Sequence, residues 1–288
     1  MGIKVPKFSR RGLKPYAAEF LGTALLIVIG EGVIAQCLLS DFHNGTWLSI
    51  NLAWAGAVAL TSFLADPSPT VNPAVTLALA AVRGPAHQHW REVPGKLLAQ
   101  FAGAFVGAAL VYVNYRSAIL AWDPEYTIPG GSIISPMGHH SAGIFATYPS
   151  ALLVSNWEAV FQEVLASAVL MFCVLSIAEG PNTRFGAPQV SVFILMVAIG
   201  AALGWQTGYA VNPARDFGPR LFSAIMYGRE VFTAANYYCF VPLFAPIFGC
   251  LFGATVYDFM LFEGEGSWVR DAADKVNSDH HGPLRLLD

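Results

Sequence analysis

Apolar residues dominate six long runs, at 17–40, 47–65, 97–115, 157–178, 188–206 and 237–258. Each approaches the roughly 20 residues that a helix needs to cross a bilayer. The run at 47–65 contains no Asp, Glu, Lys or Arg, so it reads as a buried span. It stops at Asp66–Val71, where Pro67 and Pro69 lack the N–H that a helix needs and disfavour helical geometry in the residue before each. A short apolar stretch follows, from Asn72 to Val82, and a second one, from Pro213 to Ala224, follows the break at Thr207–Val211. Both are too short to span and read as half-helices. The pattern predicts an all-α membrane protein with six transmembrane helices and two re-entrant half-helices.

The second half of the chain repeats the first. Glu19–Leu25 aligns with Glu163–Val169 at an offset of 144 residues, and Asn72-Pro73-Ala74 aligns with Asn212-Pro213-Ala214 at an offset of 140. Three spans per copy force the second copy to start on the opposite side, so the repeats are inverted and the half-helices enter from opposite faces. The expected organisation is a cytoplasmic N-terminal tail (1–16), a channel-like domain (17–258) and a cytoplasmic C-terminal tail (259–288). The domain divides into a first repeat (17–115), an extracellular connection (116–156) and a second repeat (157–258). Lys4, Lys7, Arg10, Arg11 and Lys14, with no acid among residues 1–16, put that end in the cytoplasm. Arg83, Arg91 and Lys96 mark a return to the same side.

Composition agrees. The chain is 55% hydrophobic and 12% charged, against roughly 25% charge in a soluble protein. A net charge of −3 without a basic stripe gives no reason to expect a nucleic-acid partner. Cys37, Cys173, Cys239 and Cys250 lie in apolar runs without metal-ligand spacing, so they read as small core residues. The sequence predicts neither a cofactor nor a metal. The first apolar run is too long for a signal-peptide core, and it reads as a retained span.

The duplicated tripeptide carries the chemistry. Asn72 and Asn212 are strong N-caps, and Pro73 and Pro213 give up an N–H that would be unsatisfied at the first helical position. Ala74 and Ala214 complete the first turn. A helix N-terminus carries roughly half a positive charge and free N–H donors, so two of them meeting in a bilayer make an electropositive polar point. That point accepts neutral hydroxyls and repels cations. A single copy would be an ordinary loop-to-helix start; two copies in matched surroundings argue for a site.

Arg215 lies three residues beyond Asn212, inside the membrane region, where an arginine must face a wet cavity. Asp216 complements the dipole at the start of the half-helix, and Arg220 is its i,i+4 partner. Glu19 and Glu163 could be proton relays, or acceptors for the backbone N–H groups of the non-helical loops. Glu31 lies deeper in the first span and receives no role. His43, His87, His89, His139 and His140 read as solvated loop residues. Asn44-Gly45-Thr46 is a glycosylation sequon set close to the membrane.

These motifs are similar to those of the major intrinsic proteins, and within them the chain resembles an aquaglyceroporin over 17–258. The resemblance implies a right-handed six-span bundle with a pore in each monomer of a homotetramer, and passive flow of water and glycerol through it. It implies a selectivity filter of Trp54, Gly200, Tyr209 and Arg215. Trp54 and Tyr209 would face the solute's carbon edge, Arg215 would bond its hydroxyls, and Gly200 would leave room where water channels carry a histidine. The alternative for both aromatics is an interfacial or packing role. Asp216 and the pair Pro242-Leu243 mark the glycerol branch, and Glu19 and Glu163 become scaffold. The chain departs from the family at Pro67-Ser68-Pro69-Thr70, which replaces the common Ser-Gly-Ala-His lead-in, and at Tyr209, where a phenylalanine is usual. The expected setting is the plasma membrane with both termini cytoplasmic, and the expected partners are lipid, glycerol and water.

A water-selective channel would share the fold, and a secondary transporter would share the broken helices but need a titrating carboxylate in its path. A membrane-embedded enzyme has no cluster of nucleophile, base and orienting group to support it.

Overall fold

The computed structural model describes residues 10–65, 68–84, 89–133, 138–153, 155–179, 188–262 and 264. The expected tails at 1–16 and 259–288 fall largely outside the described residues, as does His87. The helices in order are α1 (Arg10–Leu38), α2 (Trp47–Thr61), α3 (Pro73–Val82), α4 (Val93–Trp122), α5 (Asn156–Glu179), α6 (Pro188–Leu203), α7 (Pro213–Tyr227), the single turn α8 (Ala234–Tyr237) and α9 (Phe240–Met260). Among the described residues, α1, α4, α5 and α9 have the length and apolarity of full membrane spans.

Several boundaries differ from the sequence expectation. Helix α2 ends at Thr61, where Ser62 caps the last turn with its backbone N–H on Ala59 and Leu60. Helix α6 ends at Leu203, because Gly204 lets the chain turn tightly against Trp47, Tyr209 and the Gly200 carbonyl. Helix α4 continues seven residues past the expected Tyr115, since Ile119 is fully buried and keeps that turn in the core. The connection therefore begins at Asp123. Its carboxylate holds the Thr127 and Ser141 N–H groups at 2.8 and 2.9 Å, so the segment is a pinned strap and not a loose linker.

The packing scheme is unchanged when the two halves are exchanged. Helix α1 packs on α4 and α2 as α5 packs on α9 and α6, while α3 lies against α4 as α7 lies against α9. Each half-helix also packs on the last span of the other repeat, α3 on α9 and α7 on α4, and the repeats meet through α2–α6 and α3–α7.

The tightest packing is duplicated as well. A Cβ on Gly103 would lie 2.2 Å from the Phe20 carbonyl oxygen as one on Gly249 would lie 2.4 Å from that of Val164, and one on Gly253 would lie 2.1 Å from that of Ala168. Only glycine permits such backbone approach, which is how helices in lipid gain dispersion energy when hydrophobic burial cannot distinguish a neighbour from a lipid tail.

Candidate functional site

Each break in the chain is held by one buried carboxylate. Glu19 accepts the N–H groups of Thr70 at 3.0 Å and Val71 at 2.8 Å. Glu163 accepts those of Ala210 at 2.9 Å and Val211 at 2.8 Å. The two carboxylates thus satisfy backbone donors that lipid cannot. Support beyond this differs between halves. Gln100 donates to Glu19, Thr70 and Thr76, whereas Glu163 is met by the Thr207 hydroxyl at 2.6 Å. Thr70, in the unusual lead-in, joins this network through its own hydroxyl.

The clamp fixes a strained backbone. Val71 and Val211 have φ of 47° and 43°, a left-handed conformation that is costly for a β-branched residue. In that conformation their carbonyls turn toward the centre. The Asn72 side-chain amide donates to the Val211 carbonyl at 2.9 Å, and the Asn212 amide donates to the Val71 carbonyl at 2.8 Å. The Oδ1 atoms cap their own helices, Asn72 on Ala74 N and Asn212 on Ala214 N and Arg215 N. The two half-helices therefore meet tip to tip, each asparagine bonded to the loop that carries the other. One amide hydrogen of each side chain is not used in these bonds.

A cavity of about 300 Å³ runs past this point, lined by Trp54, Asn72, Tyr209, Asn212 and Arg215 together with Val and Leu side chains of α2, α3, α5 and α6. Arg215 is 6% exposed, and its Nη1 has no hydrogen-bond partner among the described residues. Its guanidinium lies over the Trp54 ring, 4.3 Å from the centroid. The ring is seated on α1, where a Cβ on Gly30 would strike it. Beside them, the Tyr209 hydroxyl donates to Asn51 Oδ1 at 2.8 Å, and the Tyr209 ring meets Trp47 edge to face at 5.9 Å.

The geometry at Gly200 differs from the sequence expectation. A Cβ there would lie 2.4 Å from Asn51 Oδ1 and 2.9 Å from Tyr209 Cζ. The space over Gly200 is thus filled by the Asn51–Tyr209 pair and is not part of the lumen. Asn51 escaped the sequence reading, although it is the lone side-chain amide in the charge-free run at 47–65.

Asp216 is fully buried and away from the cavity. It accepts from Arg220 Nε at 2.9 Å and from the Thr147 N–H and hydroxyl at 2.8 and 2.6 Å. Arg220 donates onward to the Val231 and Thr147 carbonyls, so the pair ties the strap to α7. Tyr148 of the strap lies under the Arg220 guanidinium, and burial pushes its hydroxyl up to about 12 against that charge, so it stays protonated. Pro242 is buried in α9 and Leu243 beside it is half-buried; neither lines the cavity.

Glu31 is fully buried with neither oxygen hydrogen-bonded among the described residues. The reading of His139 as solvated is corrected: it stacks on Trp122 at 3.9 Å and its ring shares a hydrogen bond with the Trp122 carbonyl.

At the opposite end, Arg83 caps α3 and bridges Glu179 at 2.7 Å and Asp258 at 2.6 Å. A positive group at a helix C-terminus complements the dipole, and here it also joins α5 and α9.

Crossed amides at the centre of apolar spans, with an arginine donor turned toward the same cavity, define a class: a polytopic membrane channel built from inverted repeats. Its family follows from comparison. The profile of the major intrinsic protein family matches residues 7–257, and the chain belongs to that family. It is 41% identical over 283 residues to "Aquaglyceroporin-9" of Botryotinia fuckeliana, an alignment covering 96% of this chain and 58% of the relative. It is 40% identical to "Aquaglyceroporin-3" of Trypanosoma brucei brucei, covering 89% of this chain and 81% of the relative. The crystal structure of the aquaglyceroporin from Plasmodium falciparum superposes with a TM-score of 0.72 at 27% identity, over 86% of this chain and 96% of that one.

Proposed function

We propose that the chain is a passive channel for glycerol and other small neutral polyols together with water, closed to protons and ions. The observation that carries this reading is the cavity wall. Arg215 Nη1 and the second amide hydrogen of each asparagine have no partner among the described residues, while Trp54 and Tyr209 line the same cavity with aromatic carbon. A polyol has a hydroxyl edge and a carbon edge, and this wall fits both. Water needs only the donors. The half-helix tips and the guanidinium are all positive, so a cation would leave its hydration shell without gaining an anion in return. Glu19 and Glu163 accept bonds from backbone and neighbouring side chains and lie off the cavity, which leaves this pair unsuited to carry protons through it.

The names of the similar proteins support glycerol over water alone. A homotetramer in the plasma membrane, with both termini in the cytoplasm and one pore per chain, completes the proposal. Stopped-flow light scattering on proteoliposomes tests it. Glycerol should enter much faster than through protein-free lipid, without saturation or accumulation against a gradient. Water flow with no glycerol flow would overturn the polyol reading; concentrative, pH-driven uptake would overturn the channel.

A further inference from the structure

Tyr209 is the most polar aromatic at the constriction, and its hydroxyl would be expected to compete for solute. Three observations argue otherwise. Its O–H donates to Asn51 Oδ1 at 2.8 Å across 158 residues of sequence. Asn51 is buried at 1% exposure on α2, and unlike Tyr209 it does not line the cavity. Gly200 of α6 has no side chain where a Cβ would strike both partners, 2.4 Å from Asn51 Oδ1 and 2.9 Å from Tyr209 Cζ. The Gly200 carbonyl is itself held by the Trp47 indole N–H at 3.2 Å, which fixes the α6 backbone against α2 at this level.

We infer that Asn51 is a specificity-determining residue: it holds the Tyr209 hydroxyl away from the lumen, so that the solute meets only the ring. The inference rests on the polyol-channel reading and deepens it. Asn51 acts through Tyr209 and is a positioning residue, with Gly200 as the space that lets the pair form. A tyrosine so held presents the face of a phenylalanine to the carbon edge of a polyol. Released, its hydroxyl would add a donor to the apolar corner, favour water there, and narrow the way for glycerol.

Asn51→Leu removes the acceptor and frees the hydroxyl, so the ratio of glycerol to water permeability should fall by about threefold or more, the weight of one modest hydrogen bond. The double variant Asn51→Leu/Tyr209→Phe removes both partners together, which is the least disruptive way to delete a buried bond. It should return the ratio to within about twofold of the parent protein. Gly200→Ala, which breaks the pair from the other side, should lower the ratio in the same sense as Asn51→Leu.

Stopped-flow measurements on vesicles carrying equal amounts of monodisperse protein read all three variants for both solutes. A double variant that stays as impaired as Asn51→Leu would overturn the inference, because Asn51 would then act by packing alone. An unchanged ratio in Asn51→Leu would overturn it as well. If Asn51→Leu does not yield folded protein, Gly200→Ala with and without Tyr209→Phe decides by the same restoration test. The polyol reading fails separately, by absent glycerol flow in the parent protein; the water permeability of the same variants then still reports whether restoration occurs.

Discussion

The Arg215 guanidinium lies over the Trp54 ring, 4.3 Å from its centroid, and each residue limits what the other can do. The contact is worth about 0.5–2 kcal/mol and holds the charge against one wall of the cavity. Trp54→Ala should both widen the constriction and free the guanidinium. Permeability to five-carbon polyols is expected to rise about tenfold, a barrier change of roughly 1.4 kcal/mol. Arg215→Val should instead raise proton leak, read with a pH-sensitive dye in the same vesicles. Unchanged size exclusion in the first and unchanged leak in the second would remove both residues from the constriction.

The carboxylate clamps should behave as scaffold. Glu163→Gln retains an acceptor but turns an NH2 group toward Ala210 N or Val211 N, leaving a buried donor unsatisfied at a cost of about 1–3 kcal/mol. Thermal unfolding in detergent should fall by several degrees, with Glu19→Gln similar and any surviving channel still passive. An unaltered Tm for both would show that the loops hold themselves.

Arg83 neutralises two acids, one of which, Asp258, is fully buried. Arg83→Ala removes the guanidinium that faces this buried carboxylate and is expected to destabilise the protein by about 3–5 kcal/mol. Replacing all three at once, as Arg83→Met/Glu179→Gln/Asp258→Asn, should recover most of the loss. Equal stability of the single and triple variants would mean that the cluster is not coupled.

Gly253 and Gly56 provide a matched contrast. A Cβ on Gly253 would sit 2.1 Å from a backbone oxygen, whereas one on Gly56 meets nothing within 4 Å. Gly253→Ala should sharply reduce the yield of monodisperse protein, because α5 and α9 must separate. Gly56→Ala should be neutral or stabilising by up to about 1 kcal/mol. Equal yields would place the close packing elsewhere.

The features set by local chemistry were legible in the sequence. Asn72 and Asn212 cap the helices they precede, because an Asn-Pro start leaves the backbone few alternatives. The repeat was legible because the Glu19 and Glu163 surroundings differ by conservative changes. What was illegible depends on partners distant in the chain. Arg83 read as a mark of sidedness, yet it is an ion-pair centre joining three helices, since its acids arrive from α5 and α9. Asn51 gave no signal of role because that role needs Tyr209 beside it and a missing side chain at Gly200. The length of α4 was underestimated at Arg116, a charge that suggests an exit from the membrane, though buried Ile119 keeps the helix going.

The crossed bonds of Asn72 to Val211 and Asn212 to Val71 bear on how such a chain can change over generations. After a gene doubles, its copies usually drift apart, each repairing its own losses. Here neither copy can repair the knot alone, since the tip of one is finished by the backbone of the other. These few residues must therefore be inherited as a matched set.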